Sequence, residues 1–488
     1  MSFTSIIFLL FLPLVFCIHW LLPRRTLRNS WLVAASYFFY GYWDYRFCLL
    51  MFISSMVDFS IGLALHRSDG PGRRKTLLVI SLLSNLGLLG IFKYLGFFVE
   101  SFRELATVFG FDAASGTWEI ILPVGISFYT FQTLSYTIDI YREKLQPTRN
   151  LADYLAFVSF FPQLVAGPIE RASRLLPQFQ ADRKCRWQNL SEGIPRILWG
   201  FFKKIVIADS LAVVVQTSYG DPLLASGPAL MLATFFFAFQ IYADFSAYSD
   251  IAIGTARLFD IRLMQNFAYP YFSQSIWEFW QRWHISLSTW FRDYLYIPLG
   301  GNRDSRRKRN QNILITFLVS GLWHGAAWRF IAWGGLHGAA TIGLRPGREN
   351  RAQLDIEQPG GSSLFPSASI ALRIISTFCL VSLFWVFFRA SSMADSILIF
   401  KKMAVELTSL VGYRELVTSY LGGGPIFTAL NLVLALVVLE WCQRHLHHPL
   451  QVAHWPKPLR WAAYTATFWF VVEYAGRLPD NPFIYFQF

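Results

Sequence analysis

MSFTSIIFLLFLPLVFCIHWLLP, residues Met1–Pro23, contains no Asp, Glu, Lys or Arg. As a helix it is long enough to cross a hydrocarbon layer of about 30 Å. No basic stretch precedes the apolar run and no A-x-A cleavage site follows it, so it is expected to be a retained span rather than a signal peptide. Arg24, Arg25 and Arg28 come directly after it. Under the positive-inside rule they hold this end in the cytoplasm and the N-terminus outside. A second basic cluster, Arg67, Arg73, Arg74 and Lys75, comes after two further apolar runs, Asn29–Trp43 and Phe47–Leu65. One outward and one inward crossing then connect the two clusters.

The same pattern continues along the chain. Apolar runs cover Leu77–Val99, Ile120–Ile138, Ile194–Gly220, Leu223–Ala243, Gln311–Trp328, Ile331–Leu344, Ser362–Phe388, Leu416–Leu439 and Trp461–Val472. Counted together they predict about twelve crossings, give or take about two, with both termini outside. Tyr154–Ile169 is apolar too, but Pro162, Gly167 and Pro168 interrupt it and Arg171 and Arg174 follow. It reads as a broken or re-entrant segment, tolerated only where protein buries it.

Composition supports the membrane reading. Of 488 residues, 54% are hydrophobic, 18% aromatic and 15% charged. A soluble domain carries about 25% charged residues, and a chain of this length could not cover several soluble cores with so little charge. The net charge is +13. The basic residues lie in short clusters between apolar runs, so the excess is topogenic, and nucleic-acid binding is not expected. Five cysteines, Cys17, Cys48, Cys185, Cys379 and Cys442, show neither disulfide-framework nor metal spacing.

The chain reads as a single membrane domain over residues 1–488 with five stretches. Residues 1–256 are N-terminal helices, and 257–310 form a cytoplasmic or interfacial segment. Residues 311–344 are helices carrying two histidines, 345–361 a polar linker, and 362–488 C-terminal helices. The 257–310 segment ends in Arg303, Arg306, Arg307, Lys308 and Arg309, which place it in the cytoplasm. It also holds Trp277, Trp280, Trp283 and Trp290. A solvated loop has no use for four tryptophans, so this segment is expected to fold back on the membrane domain.

Candidate chemistry rests on histidines. His324, in LVSGLWHGAAW, lies near the end of an apolar helix, where an ionisable group is a functional candidate by default. Gly321 and Gly325 flank it at GxxxG spacing, and Gly334 and Gly338 repeat the spacing around His337. Small residues at this spacing let helices approach closely. His337 reads first as an interhelical hydrogen-bonding residue. His284 lies in SIWEFWQRWHISLSTWFRDYLYIPLGG. On a continuous helix Trp277, Trp280, His284 and Ser288 would share one face, with Arg282 and Arg292 off it. Two readings stand side by side: an interfacial helix with aromatic anchors, or a polar group delivered from the cytoplasmic side towards His324. Asp244 and Asp250, in YADFSAYSD, and Asp139, ahead of Arg142, must face protein or the interface and read as structural. His445, His447 and His448 in RHLHH follow a predicted span beside Arg444 and read as a juxtamembrane loop. No carboxylate or cysteine completes a ligand set, so no metal is expected. Walker A, GxGxxG and GxSxG motifs are absent from the sequence.

A series of motifs in one order resembles the membrane-bound O-acyltransferase family, and within it the bacterial alginate O-acetylase type. It comprises SYFFYGYWD (Ser36–Asp44), SNLGLLGIFKY (Ser84–Tyr94), PVGISFYTFQTLSYTIDIYR (Pro123–Arg142) and FFPQLVAGPIER (Phe160–Arg171). DFSAYSDIAIG (Asp244–Gly254), NFAYPYFSQSIWEFWQRWHISLSTWFRDYLYIPLGG (Asn266–Gly301), SGLWHGAAW (Ser320–Trp328), FWVFFRA (Phe384–Ala390) and the terminal PFIYFQF complete it. The resemblance runs almost end to end. It implies an all-α polytopic fold of membrane-spanning, re-entrant and interfacial helices around a central funnel, with His324 near the waist. The family's two marker histidines map onto His324 and His284.

The implied reaction is acyl transfer from a cytoplasmic thioester, expected to be acetyl-CoA, towards an extracytoplasmic acceptor, with no bound cofactor. Neutral imidazole suits deprotonation of a hydroxyl near pH 7, so His324 is the expected general base, with a transient acyl-histidine as the alternative. His284 would orient or polarise the thioester or relay a proton. The expected substrate-binding residues are Trp280, Arg282, Trp283, Arg292 and Trp323. The expected setting is the bacterial inner membrane, with periplasmic acetyltransferases as partners and an alginate-like exopolysaccharide as final acceptor. Peptidoglycan, cellulose and D-alanylated teichoic acid are the alternatives within the family. A polytopic transporter is the alternative from another class, though it would be expected to show an internal repeat, and none is visible.

Overall fold

The computed structural model describes residues 1–111, 121–165, 167–344, 365–477 and 481–484. The linker expected at Arg345–Gly361, the first residue of the Ile120–Ile138 run and the last four residues of PFIYFQF lie outside them. The described residues are helical with no strand. Among the described residues, five helical stretches are long and apolar enough to cross a membrane: Arg46–His66, Pro71–Val108, Gly227–Leu258, Ala368–Arg389 and Pro425–Cys442. The opening apolar run forms a shorter helix, Ile6–Leu21. One expectation differs in detail. Leu416–Leu439 is not one span but two helices, Leu410–Leu421 and Pro425–Cys442. Between them Gly423 takes a left-handed conformation (φ 71°) that ends the first helix, and Pro425 starts the second. The Tyr154–Ile169 run does break as expected, into helices Leu151–Ser159 and Phe161–Leu164, with residues 153–165 buried.

The chain divides into two compact units, residues 1–193 with 255–264, and residues 194–254 with 265–488. The first is tied by polar groups buried between helices. Asp58 accepts hydrogen bonds from Ser81 Oγ (2.6 Å) and Asn85 Nδ2 (2.7 Å), and Thr133 Oγ1 donates to Asn85 Oδ1 (2.9 Å). This joins Arg46–His66, Pro71–Leu89 and Ile126–Tyr141, and a satisfied network holds apolar helices in one register where lipid supplies no hydrophobic drive. Gly62 is needed there because a Cβ would lie 2.6 Å from the Tyr136 ring.

The second unit contains residues 227–254 of the Gly227–Leu258 helix, which carry the two aspartates read as structural. Asp250 takes Lys203 (2.7 Å) and Arg196 (2.8 Å), and Asp244 takes Lys204 (3.0 Å) and the Ile484 amide (2.6 Å). The two lysines lie in a π-helical stretch, Phe202–Ala208, in which both are buried.

Candidate active site

Two packed helices carry the first part of the site. Arg306–His324 begins at Ser305, whose Oγ accepts from the Lys308 amide, and ends at His324 where Gly325 turns extended. Trp328–Gly343 returns against it. The glycines read from the GxxxG spacing meet across the pair. A Cβ on Gly321 would overlap the Phe330 carbonyl and lie 3.3 Å from Gly334 Cα, and one on Gly334 would overlap the Phe317 carbonyl. A Cβ on Gly325 would overlap the Phe330 ring. This contact fixes the backbone on either side of His324, which is 4% exposed. Rings of Trp323 (4.9 Å between centroids), Trp333 (5.0 Å) and Phe388 (5.5 Å) meet the imidazole in T-shaped contacts.

The second part is SIWEFWQRWHISLS, and here the helix-face reading fails. The segment forms two seven-residue helices, Ile276–Arg282 and Ile285–Phe291, not one. Ser275 Oγ caps the first by accepting from the Glu278 amide, and Glu278 reaches back to the Gln274 amide (2.9 Å), a variant of the capping box. Trp283 is extended and His284 left-handed, with φ 43° and ψ 54°. The reason is tertiary. Asn266 accepts the Ile285 amide on its carbonyl (2.9 Å) and the Ser286 amide and hydroxyl on Oδ1 (3.3 and 2.9 Å). These bonds satisfy the second helix's first donors, so it starts afresh at Ile285. A left-handed conformation on a non-glycine residue is strained, of order 1–3 kcal/mol, and persists only where its surroundings enforce it.

The break aims His284 inward. It is fully buried, in T-shaped contact with Phe245 at 4.6 Å, and its ring lies 6.3 Å from that of His324. Burial pushes the His284 imidazole down to about 3, which keeps it neutral near pH 7.

A cavity of about 590 Å³, a volume within the range of small-molecule sites, is lined by Ile285, next in sequence to His284, and by Ser320, one helical turn before His324, but by neither imidazole. One wall is a single face of the Arg306–His324 helix: Ile313, Thr316, Phe317 and Ser320, with His324 one turn beyond Ser320. The facing wall includes Trp277, Trp280 and Ile285, and polar side chains of Ser288, Thr289, Arg292, Tyr296 and Asn302 also contribute.

Of the residues expected to bind substrate, Trp280 and Arg292 line the cavity. The others do not. Arg282 is buried in an ion pair with Glu278 (2.9 Å), Trp283 packs on Trp385 at 5.1 Å, and Trp323 packs on His324. Sequence reading missed Asn266, whose role depends on residues about twenty positions downstream. It also missed the polar side chains of Thr289, Tyr296 and Asn302, whereas the helix-face reading groups Ser288 with Trp277 and Trp280, which line the same cavity. The cavity face of the Arg306–His324 helix, Ile313, Thr316, Phe317 and Ser320, was not singled out from the sequence either, although its spacing is helical.

The membrane-bound O-acyltransferase (MBOAT) profile matches residues 35–343. A probable alginate O-acetylase of Azotobacter vinelandii is 43% identical over 398 residues, 80% of this chain and 76% of that protein. Its counterpart in Pseudomonas aeruginosa is 40% identical over 455 residues, 92% of this chain and 83% of the relative. A peptidoglycan O-acetyltransferase of Helicobacter pylori is 31% identical over 492 aligned positions, 92% of this chain and 90% of the relative. The chain belongs to the membrane-bound O-acyltransferase family. It is thus an integral membrane enzyme of the acyl-transfer class.

Proposed function

We propose that this protein transfers acetyl groups from acetyl-CoA on the cytoplasmic side of the bacterial inner membrane to an acceptor on the other side, for O-acetylation of an alginate-like exopolysaccharide. The observation that carries the reading is the pair of buried histidines, His284 and His324, 6.3 Å apart, on the two segments whose Ile285 and Ser320 line a cavity large enough for a thioester arm. The likeness to two alginate O-acetylases over most of the chain supports the choice of polymer.

In this reading the donor enters the cavity lined by Trp280, Arg292 and Phe317. His324 takes the proton from an acceptor hydroxyl as its oxygen attacks the thioester carbonyl. The carbon–sulfur bond breaks, the thiolate leaves, and the proton passes to it, so no redox partner or metal is required. His284 orients the thioester carbonyl or relays that proton. The basic clusters Arg24–Arg28, Arg67–Lys75 and Arg303–Arg309 lie in the cytoplasm, and both termini lie outside. Periplasmic acetyltransferases then carry the acetyl group to the polymer.

The test is the acetyl content of polymers from a strain lacking this gene and from the same strain with it restored. Restored acetyl ester on a uronate exopolysaccharide is expected. Acetyl restored on peptidoglycan instead would move the function to that of the Helicobacter pylori relative. No change in any ester, with an ion-driven substrate flux, would leave the transporter reading in its place.

A further inference from the structure

His337 is a fully buried histidine that the reaction above does not use. It lies on the Trp328–Gly343 helix, where a Cβ at Gly338 would meet Phe317 Cβ at 3.1 Å, so the two helices pass closely beside it. Trp280 donates its indole Nε1–H to His337 Nδ1 at 3.2 Å. Accepting at Nδ1 fixes the neutral tautomer with its proton on Nε2, an atom with no hydrogen-bond partner among the described residues. T-shaped ring contacts with Trp280 (4.9 Å), Trp333 (4.8 Å) and Phe384 (4.9 Å) hold the imidazole in place. An apolar side chain of similar size would fill this aromatic site without the desolvation cost of two ring nitrogens. What a histidine adds here is the acceptor for Trp280.

Trp280 is a wall of the cavity, in T-shaped contact with Phe317 on the opposite helix at 5.2 Å. Thr341, another lining residue, donates its hydroxyl to the His337 carbonyl at 2.8 Å. We infer that His337 is a positioning residue. It locks the Trp280 indole in one rotamer as the plate against which the thioester donor's arm lies, and so sets donor affinity without touching the reacting atoms. The inference rests on the donor site proposed above. With the acceptor removed, the indole N–H is left unsatisfied in an aromatic environment and must turn to find a partner, which reshapes the wall.

The experiment is steady-state transfer by purified full-length protein in proteoliposomes, with acetyl-CoA varied. Three single variants and one double variant are compared with wild type after size-exclusion selection of the folded fraction. His337→Leu removes the acceptor, Trp280→Phe removes the donor but keeps a ring, and His337→Asn keeps an acceptor close to the Nδ1 position. His337→Leu and Trp280→Phe should each raise KM for acetyl-CoA about five- to tenfold, the size of one lost hydrogen bond, with kcat changed less than about twofold. His337→Asn should stay close to wild type, and the double variant should be no worse than the poorer single one. The inference is overturned if kcat falls while KM holds, if the two single effects multiply, or if the asparagine variant is as poor as the leucine one. It is equally overturned if the variants lose only folded yield. Wild-type protein that neither binds nor turns over acetyl-CoA would instead overturn the donor assignment on which the inference stands.

Discussion

His324→Ala should lower acetyl transfer by roughly 10²–10⁴-fold, the range for losing a general acid–base group, while the protein's abundance in the membrane stays near wild type. The imidazole ends the Arg306–His324 helix and is enclosed by Trp323, Trp333 and Phe388. Those rings pack on one another as well as on the histidine: Trp333 meets Phe388 at 5.3 Å and Trp385 at 5.5 Å. Removing the imidazole therefore takes one member from an aromatic cluster that retains its other contacts. Polymer acetyl content in the complemented strain reads the chemistry, and detergent extraction followed by size-exclusion reads the fold. Normal acetylation by the alanine variant would sink the catalytic assignment, and loss of the protein itself would recast His324 as a packing residue.

Gly321→Ala should fail differently, by disrupting the helix pair before any chemistry is reached. The added Cβ meets the Phe330 carbonyl and the Gly334 Cα, which are backbone atoms that no rotamer change can move aside. Overpacking usually costs about 1–3 kcal/mol and more where the backbone cannot yield. In a membrane the close approach of small residues is itself the source of helix association, so this site belongs at the upper end. Gly335→Ala provides the control on the same helix pair. Its Cβ would rest 3.5 Å from Leu318 Cδ2, an ordinary contact, and folded yield and activity should be near wild type. Equal behaviour of the two variants would show that the glycine contact does not determine the packing beside His324.

How far the sequence could be read depended on whether the cause of a feature was local. Hydropathy is local, so helices stand where Met1–Pro23, Phe47–Leu65 and Ser362–Phe388 predicted them. The break in Tyr154–Ile169 was visible because proline and glycine act within their own turn. The glycines around His324 were recognised by spacing, although their contacts run across the two helices, Gly321 against Phe330 and Gly334, and Gly334 against Phe317, rather than joining residues within one motif. His284 marks the limit. The tryptophans around it repeat at helical spacing, yet the chain leaves the helix at Trp283 because Asn266, far back in the sequence, offers its own acceptors to Ile285 and Ser286. Likewise nothing near Lys203 announces Asp250 as its partner. Arg282 looked like a ligand-binding cation, but Glu278, one turn earlier on the same helix, claims it.

Vectorial transfer is the claim on which the account depends, and a sealed proteoliposome tests it most directly. Purified protein is reconstituted with a hydroxyl acceptor enclosed, either uronate oligosaccharide or the proposed periplasmic acetyltransferase. Acetyl-labelled coenzyme A is then added outside. Molecules inserted with the Arg303–Arg309 face outward should place label on the enclosed acceptor and release free coenzyme A outside, with no ion gradient imposed, and His324→Ala should abolish both. Label that stays outside as free acetate, or that enters only when an ion gradient is applied and regardless of His324, would contradict the account.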